Sequence, residues 1–212
     1  AEYDGLQTQV TYRGNPRMFA SLSYTLSKAT NTTEPDGNGI GPNQSSIDRL
    51  GEEERGPSVV DQRHRAVFMF TYQLPLNITA GTLIQYASAR PFNATTGIDN
   101  NGDGINNDRP VIDGEVIKKS AFRGTPTSDV AAFVEGRIHQ GSFGTVLLRL
   151  EGFNLLNHGN YLGRGLTIYG DGTTPLPTFG QLVAVGTTTN ALPAFANVDP
   201  PRMFQVQVRF LF

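Results

Sequence analysis

The 212-residue chain has no cysteine, only three histidines, and no strong charge of either sign, since 17 Lys+Arg against 19 Asp+Glu leave −2. Without cysteine there is neither a disulfide framework nor a thiolate metal site or nucleophile. The near-neutral balance lacks the basic footprint of nucleic-acid binding, so no nucleic-acid partner is expected. No apolar run approaches the ~18 residues a membrane-spanning helix needs. That excludes a helical membrane protein and leaves a β-barrel open, because barrel strands alternate and are only half apolar. Nothing resembles a signal peptide. The chain opens in strand-like sequence, "AEYDGLQTQV", which suggests a piece of a longer polypeptide.

What is abundant is glycine (24) and proline (13), suited to many turns, together with period-2 alternation. Alternation marks a strand with two unlike faces. In "PRMFQVQVRFLF", Phe204, Val206, Val208, Phe210 and Phe212 share one face, and Gln205, Gln207 and Arg209 the other. Met18, Ala20, Leu22, Tyr24 and Leu26 repeat the pattern, as do Ala66, Phe68, Phe70, Tyr72 and Leu74. Weaker versions cover about Tyr3–Arg13, Leu76–Ala87, Val130–His139 and Thr145–Phe153. The pattern predicts an all-β fold of about seven long strands, each near the ~9–11 residues of a tilted transmembrane strand.

Connections sort by length. Short ones fall at Gly14–Pro16, at Pro75 and at Gln140–Gly144; long ones at about Ala29–Arg63, Ser88–Asp129 and Asn154–Pro201. They alternate strictly. In an antiparallel meander, alternate connections lie at the same end, so all turns gather at one end and all loops at the other. That asymmetry is the mark of an outer-membrane β-barrel. The competing architecture is a β-sandwich whose apolar face packs a soluble core.

One loop suggests a metal. In "DNNGDGINNDRP", Asp99, Asn101 and Asp103 stand at alternate positions before Gly104. Alternate oxygen-bearing residues in a tight loop converge on one point, as in a calcium loop. Ile105 would add its carbonyl and Asn107 its side chain. The twelfth place is Pro110, so a closing carboxylate must come from Asp108, Asp113 or elsewhere. Such a set predicts a structural Ca2+ with affinity of roughly 10⁻⁴–10⁻³ M. Asn, Gly and Asp also favour plain turns for backbone reasons.

Other polar stretches read as structural. "DQRHR" (Asp61–Arg65), with Ser58 nearby, is a polar strand entry; residues so close along a strand do not converge into a triad. His139 and His158 share no metal-ligand spacing. Folding the hairpin about Gly141–Ser142 places Glu135 opposite Arg149, a cross-strand ion pair. "GFNLLNHGNY" (Gly152–Tyr161) is read as turn chemistry at a strand end. No nucleophile–base constellation is found, and no enzymatic activity is expected.

The series "SLSYTLSKATN", "RGPSVVDQRHRAVFMFTYQLP", "SARPFNATTGIDNNGDGINNDRP", "LRLEGFNLLNHGNY" and a terminal Phe resembles, in content and order, the C-terminal part of TonB-dependent outer-membrane receptors. The similarity is to the Oar-like group with a carboxypeptidase-regulatory-like domain, and it spans essentially residues 1–212. It implies a 22-stranded barrel in the bacterial outer membrane, a plug, a segment that engages TonB, and energised transport of a substrate the sequence leaves open. Seven strands make an incomplete barrel. The implied partners are therefore outer-membrane lipid or detergent and the rest of the barrel and plug, with TonB reached only through the parent's N-terminal part. Phe212 and the alternation before it resemble the signal read by the barrel-assembly machinery. The rival reading is a processed fragment, extracellular or on the cell surface, that self-associates through open strand edges into a fibre.

Overall fold

Every segment with period-2 alternation is a strand. The computed structural model describes residues 1–32, 54–102, 104–139, 144–160, 169–170, 174–181 and 201–212. The elements in chain order are β1 (Glu2–Asn15), β2 (Met18–Asn31), β3 (Gly56–Pro57), β4 (His64–Leu74), β5 (Ile78–Ala87) and β6 (Pro91–Phe92). They continue with β7 (Val111–Ile112), β8 (Glu115–Val116), β9 (Phe122–Arg123), β10 (Thr127–His139), β11 (Thr145–Phe153) and β12 (Met203–Leu211). The seven long strands form one antiparallel meander in the order β1-β2-β4-β5-β10-β11-β12, with β3 alongside β2. The sheet is open, with β1 and β12 at its edges.

Two boundaries differ from the sequence expectation, each for a local reason. β5 starts at Ile78, not Leu76, because Leu76 and Asn77 take left-handed backbone (φ 64° and 57°) to close the turn from β4. β10 starts three residues earlier than Val130, because Thr127–Asp129 pair with Ala87–Gln85 of β5. The β1–β2 turn and the Pro75–Asn77 turn lie at one end of the sheet, and the long connections at the other. The tip of the β10–β11 connection, with Gly141 and Ser142, lies outside the described residues.

Register sorts the two faces. Val10, Leu22, Phe68, Ile84 and Val130 form one row across five strands, and Val134, Leu150 and Val206 another. These side chains are open to the surroundings: Val10 is 62% exposed, Leu150 51% and Val206 67%. A sandwich would bury that face. Among the described residues, the buried hydrophobic ones are Ala87, Phe92, Ala94 and Tyr169, at the end of β5 and in the long connections. Aromatic side chains bracket the apolar band. Tyr24 and Tyr86 share a row at the loop end, and Tyr72 lies six residues down β4 from that row. Six residues of strand span ~20 Å, close to the ~25 Å apolar band of a transmembrane barrel.

At the loop end the connections build a cap with its own core. Rings of Phe92, Phe122, Tyr169 and Phe179 pack stacked, tilted or edge to face, with centroids 4.8–6.0 Å apart. β6 pairs with β9 beneath them, and β7 with β8 around Asp113–Gly114, both at positive φ. The sequence reading treats these stretches as loops. Strands of two residues lie below the length at which alternation is visible.

Candidate functional site

The loop at 96–108 closes on itself through its carboxylates. The N–H groups of Gly102 and Gly104 donate to Asp99 Oδ1 (2.7 Å) and Oδ2 (2.8 Å). Those glycines sit at φ +76° and +86°, which is what turns their amides inward. The N–H groups of Asn100 and Asn101 donate to Asp108 Oδ2 (2.6 and 3.1 Å), and Asp108 is buried. The N–H of Asn107 donates to the Ile105 carbonyl (2.9 Å), and that of Thr96 to the Asp108 carbonyl (2.7 Å). Asp99 and Asp108 thus hold the two halves of the turn. Asp103 lies outside the described residues. Among the described residues no three acidic or histidine side chains gather into a metal cage.

Buried polar pairs fasten the cap to the sheet. Arg109 grips Glu54 with both guanidinium ends (2.8 and 2.7 Å), and each side chain is under 5% exposed. Asp61 accepts the Ala29 N–H (2.7 Å) and an Arg123 guanidinium, linking β2, the start of β4 and β9. Lys119, 1% exposed, donates to the Asn31 side chain. Gly56 makes room for it, since a Cβ there would lie 2.4 Å from the Lys119 carbonyl. Sequence reasoning missed all of these. Glu54 and Arg109 are 55 residues apart, and no spacing rule connects them.

Around "DQRHR", three polar side chains take separate partners. Ser58 Oγ accepts the Val60 N–H (3.4 Å), Asp61 is engaged as above, and His64 Nδ1 pairs with the Tyr24 hydroxyl (2.7 Å). Asp61, in the stretch read as a polar strand entry, is 2% exposed. "GFNLLNHGNY" does more than turn. Asn154, at φ +46°, clamps both the N–H and the carbonyl of His158. Asn160, 1% exposed, does the same to Ser128, extending the ladder of β10 with a side chain.

The face opposite the apolar band is mixed, with Met69, Leu83 and Ala131 in one row and charged residues nearer the turn end. Glu135 stands across from Arg149 in the ladder, as the hairpin arithmetic predicts, with an ion pair at 3.5 Å. Arg149 also binds Glu151 and lies over the Phe133 ring, 3.9 Å from its centroid. Phe133 in turn packs against Gly81, where a Cβ would meet the ring at 2.5 Å. Among the described residues, concavities mark this face. One of about 350 Å³ at the loop end is lined by Arg65, Arg90, Gln85, Ala87, Asp129 and Asn160 among others. Two nearer the turn end, about 160 and 240 Å³, share Glu135 and hold Arg209 and Arg137 respectively.

The described strands therefore present a bare apolar band edged with aromatics, a charged inner wall, and loops folded together at one end. A family model described as "Outer membrane beta barrel domain" matches residues 1–147. No curated protein and no solved structure matches the chain. The apolar band is accordingly the surface that meets lipid, since the bilayer cannot satisfy polar groups. The chain belongs to the outer membrane beta-barrel domain family, and its place is the bacterial outer membrane.

Proposed function

We propose that the chain is the C-terminal part of a TonB-dependent receptor barrel, acting in energised transport across the outer membrane. The observation that carries this reading is the cap. Long connections at one end fold around a shared aromatic cluster, while the described turns at the other end stay short. A passive barrel needs no such structure, whereas a receptor needs a preformed outward surface. The order of motifs and the charged inner wall, suited to a plug, support it further. The test is intact mass of the native protein extracted from outer membranes, together with crosslinking to TonB in cells. A mass several-fold above 23.0 kDa and a TonB adduct are expected. A 23 kDa species with no adduct overturns the reading.

Within this function, Asp99, Asn101, Asp103, Ile105, Asn107 and Asp108 hold a structural Ca2+ that pins an extracellular loop. The left-handed Gly102 and Gly104, which turn the loop around the Asp99 carboxylate, support this. Calorimetry on the native protein should show Ca2+ binding at roughly 10⁻⁴–10⁻³ M, lost in Asp99→Ala. Absence of Ca2+-specific heat removes the metal and leaves a carboxylate-capped turn.

A second reading rests on the sheet edges. Every residue of β1 and β12 is exposed, and an open edge is a template for another chain. Under it the chain is an extracellular fibre subunit joined by strand addition. Such a fibre sediments without detergent; a receptor needs detergent and stays dispersed.

A further inference from the structure

We propose that the inner wall takes an anionic solute, a molecule bearing at least one carboxylate or phosphate, first at the concavity between Arg65 and Arg90. This rests on the receptor reading and adds the substrate's chemistry to it.

The inference begins with which arginines are already engaged. Arg149 is held by Glu135 and Glu151, Arg109 by Glu54, and Arg123 by Asp61. Arg65, Arg90, Arg137 and Arg209 have no ion pair with a described carboxylate, and all four are exposed. Ladder parity places Arg65, Arg137 and Arg209 on the inner face. Arg65 is in the row of Ala87 and Thr127, and Arg137 is in the row of Leu147 and Arg209.

The loop-end concavity is shaped for a small solute. Ala87, small and buried, forms its floor between Arg65 on one strand and Thr127 on the next. Arg90 follows three residues beyond the floor and lines the same space of about 350 Å³. Two guanidiniums facing one cavity favour a bidentate oxyanion. Asp129, the one carboxylate lining it, leaves a net positive site and offers an acceptor for a hydroxyl or amine of the same solute.

The cations continue down the wall. Arg149 offsets one of the two carboxylates it binds, Glu135 and Glu151, so with Arg137 and Arg209 the turn-end group carries a net charge of +1. Arginines lining a pore select anions. Clefts lined by one sign of charge between low-dielectric walls focus their field on a mobile counter-ion.

The test uses the full-length native protein in detergent, titrated calorimetrically with citrate, inorganic phosphate and neutral glucose. Citrate or phosphate should bind, with glucose silent, and the stronger of the two assigns carboxylate or phosphate as the recognised group. Arg65→Ala/Arg90→Ala should weaken that binding more than about tenfold, since each removes a charge-assisted contact. Arg65→Lys/Arg90→Lys keeps charge but not the fork and should fall between. If the alanine pair does not assemble, the lysine pair and the salt dependence of native binding decide, since a charge-driven site weakens as ionic strength rises. Equal binding of glucose, no binding of either anion, or affinity unchanged in the variants overturns the proposal. TonB crosslinking is scored separately, so loss of the adduct with anion binding intact sinks only the receptor reading.

Discussion

Breaking the Glu54–Arg109 pair should loosen the cap without touching the barrel wall. Both side chains are essentially inaccessible, and the guanidinium meets the carboxylate with two hydrogen bonds. Arg109→Met takes the bidentate partner from the buried Glu54 carboxylate, which costs about 3–5 kcal/mol. Because the pair joins the cap across 55 residues of chain, the loss falls on local opening of the cap. The readout is hydrogen exchange of amides on either side of Arg109: Thr96 N–H, held by the Asp108 carbonyl, and Ile117 N–H, held by the Pro110 carbonyl. Converted at about 1.4 kcal/mol per tenfold, their exchange should quicken by roughly 10²–10⁴. Amides in the centre of β10 and β11 should stay unchanged. The double variant Glu54→Met/Arg109→Met removes both charges and should restore most of the protection, since an apolar pair of similar volume is often neutral. If the single variant exchanges at the native rate, or the double is as labile as the single, the pair does not hold the cap.

Other outcomes follow from the two faces and the close approaches. Leu150→Arg, on the lipid face, should lower stability in liposomes by about 2–4 kcal/mol in urea titrations, whereas Gln205→Arg, opposite Glu151 on the inner face, should change it little. Gly81→Val drives a side chain into the Phe133 ring and the Phe70 carbonyl, so about 1–3 kcal/mol should be lost and heat-modifiable migration weakened. Asp108→Ala strips two loop amides of their acceptor and should open the turn to limited proteolysis between 99 and 104, at a cost of about 1–3 kcal/mol.

The sheet was legible in the sequence because alternation is a local property. Leu22, Phe68 and Ile84 each reveal a face without knowledge of any neighbour, and the hairpin sum that pairs Glu135 with Arg149 needs only the turn. The cap was opaque for the opposite reason. Asp61 and Lys119 look like solvent-facing residues in polar stretches, and their burial depends on partners 32 and 88 residues away. Asn160 gives no signal as a strand extender, because only the position of Ser128 makes its amide useful. Asp113–Gly114 is the exception, a turn signal present in the sequence and passed over in a stretch read as a loop. Of the loop at 99–108, the turn chemistry was visible, but the service of Asp99 and Asp108 to backbone amides depends on how the chain folds back.

The fastening of the cap also decides how this protein looks to an antibody. Its described outer surface draws on the connections after β2, β5 and β11, stitched by Glu54–Arg109, Asp61–Arg123 and the ring cluster. An epitope there is assembled from segments remote in sequence. Sera raised against a peptide from any single connection should bind the denatured chain and pass over intact cells, while sera raised against the folded protein should do the reverse.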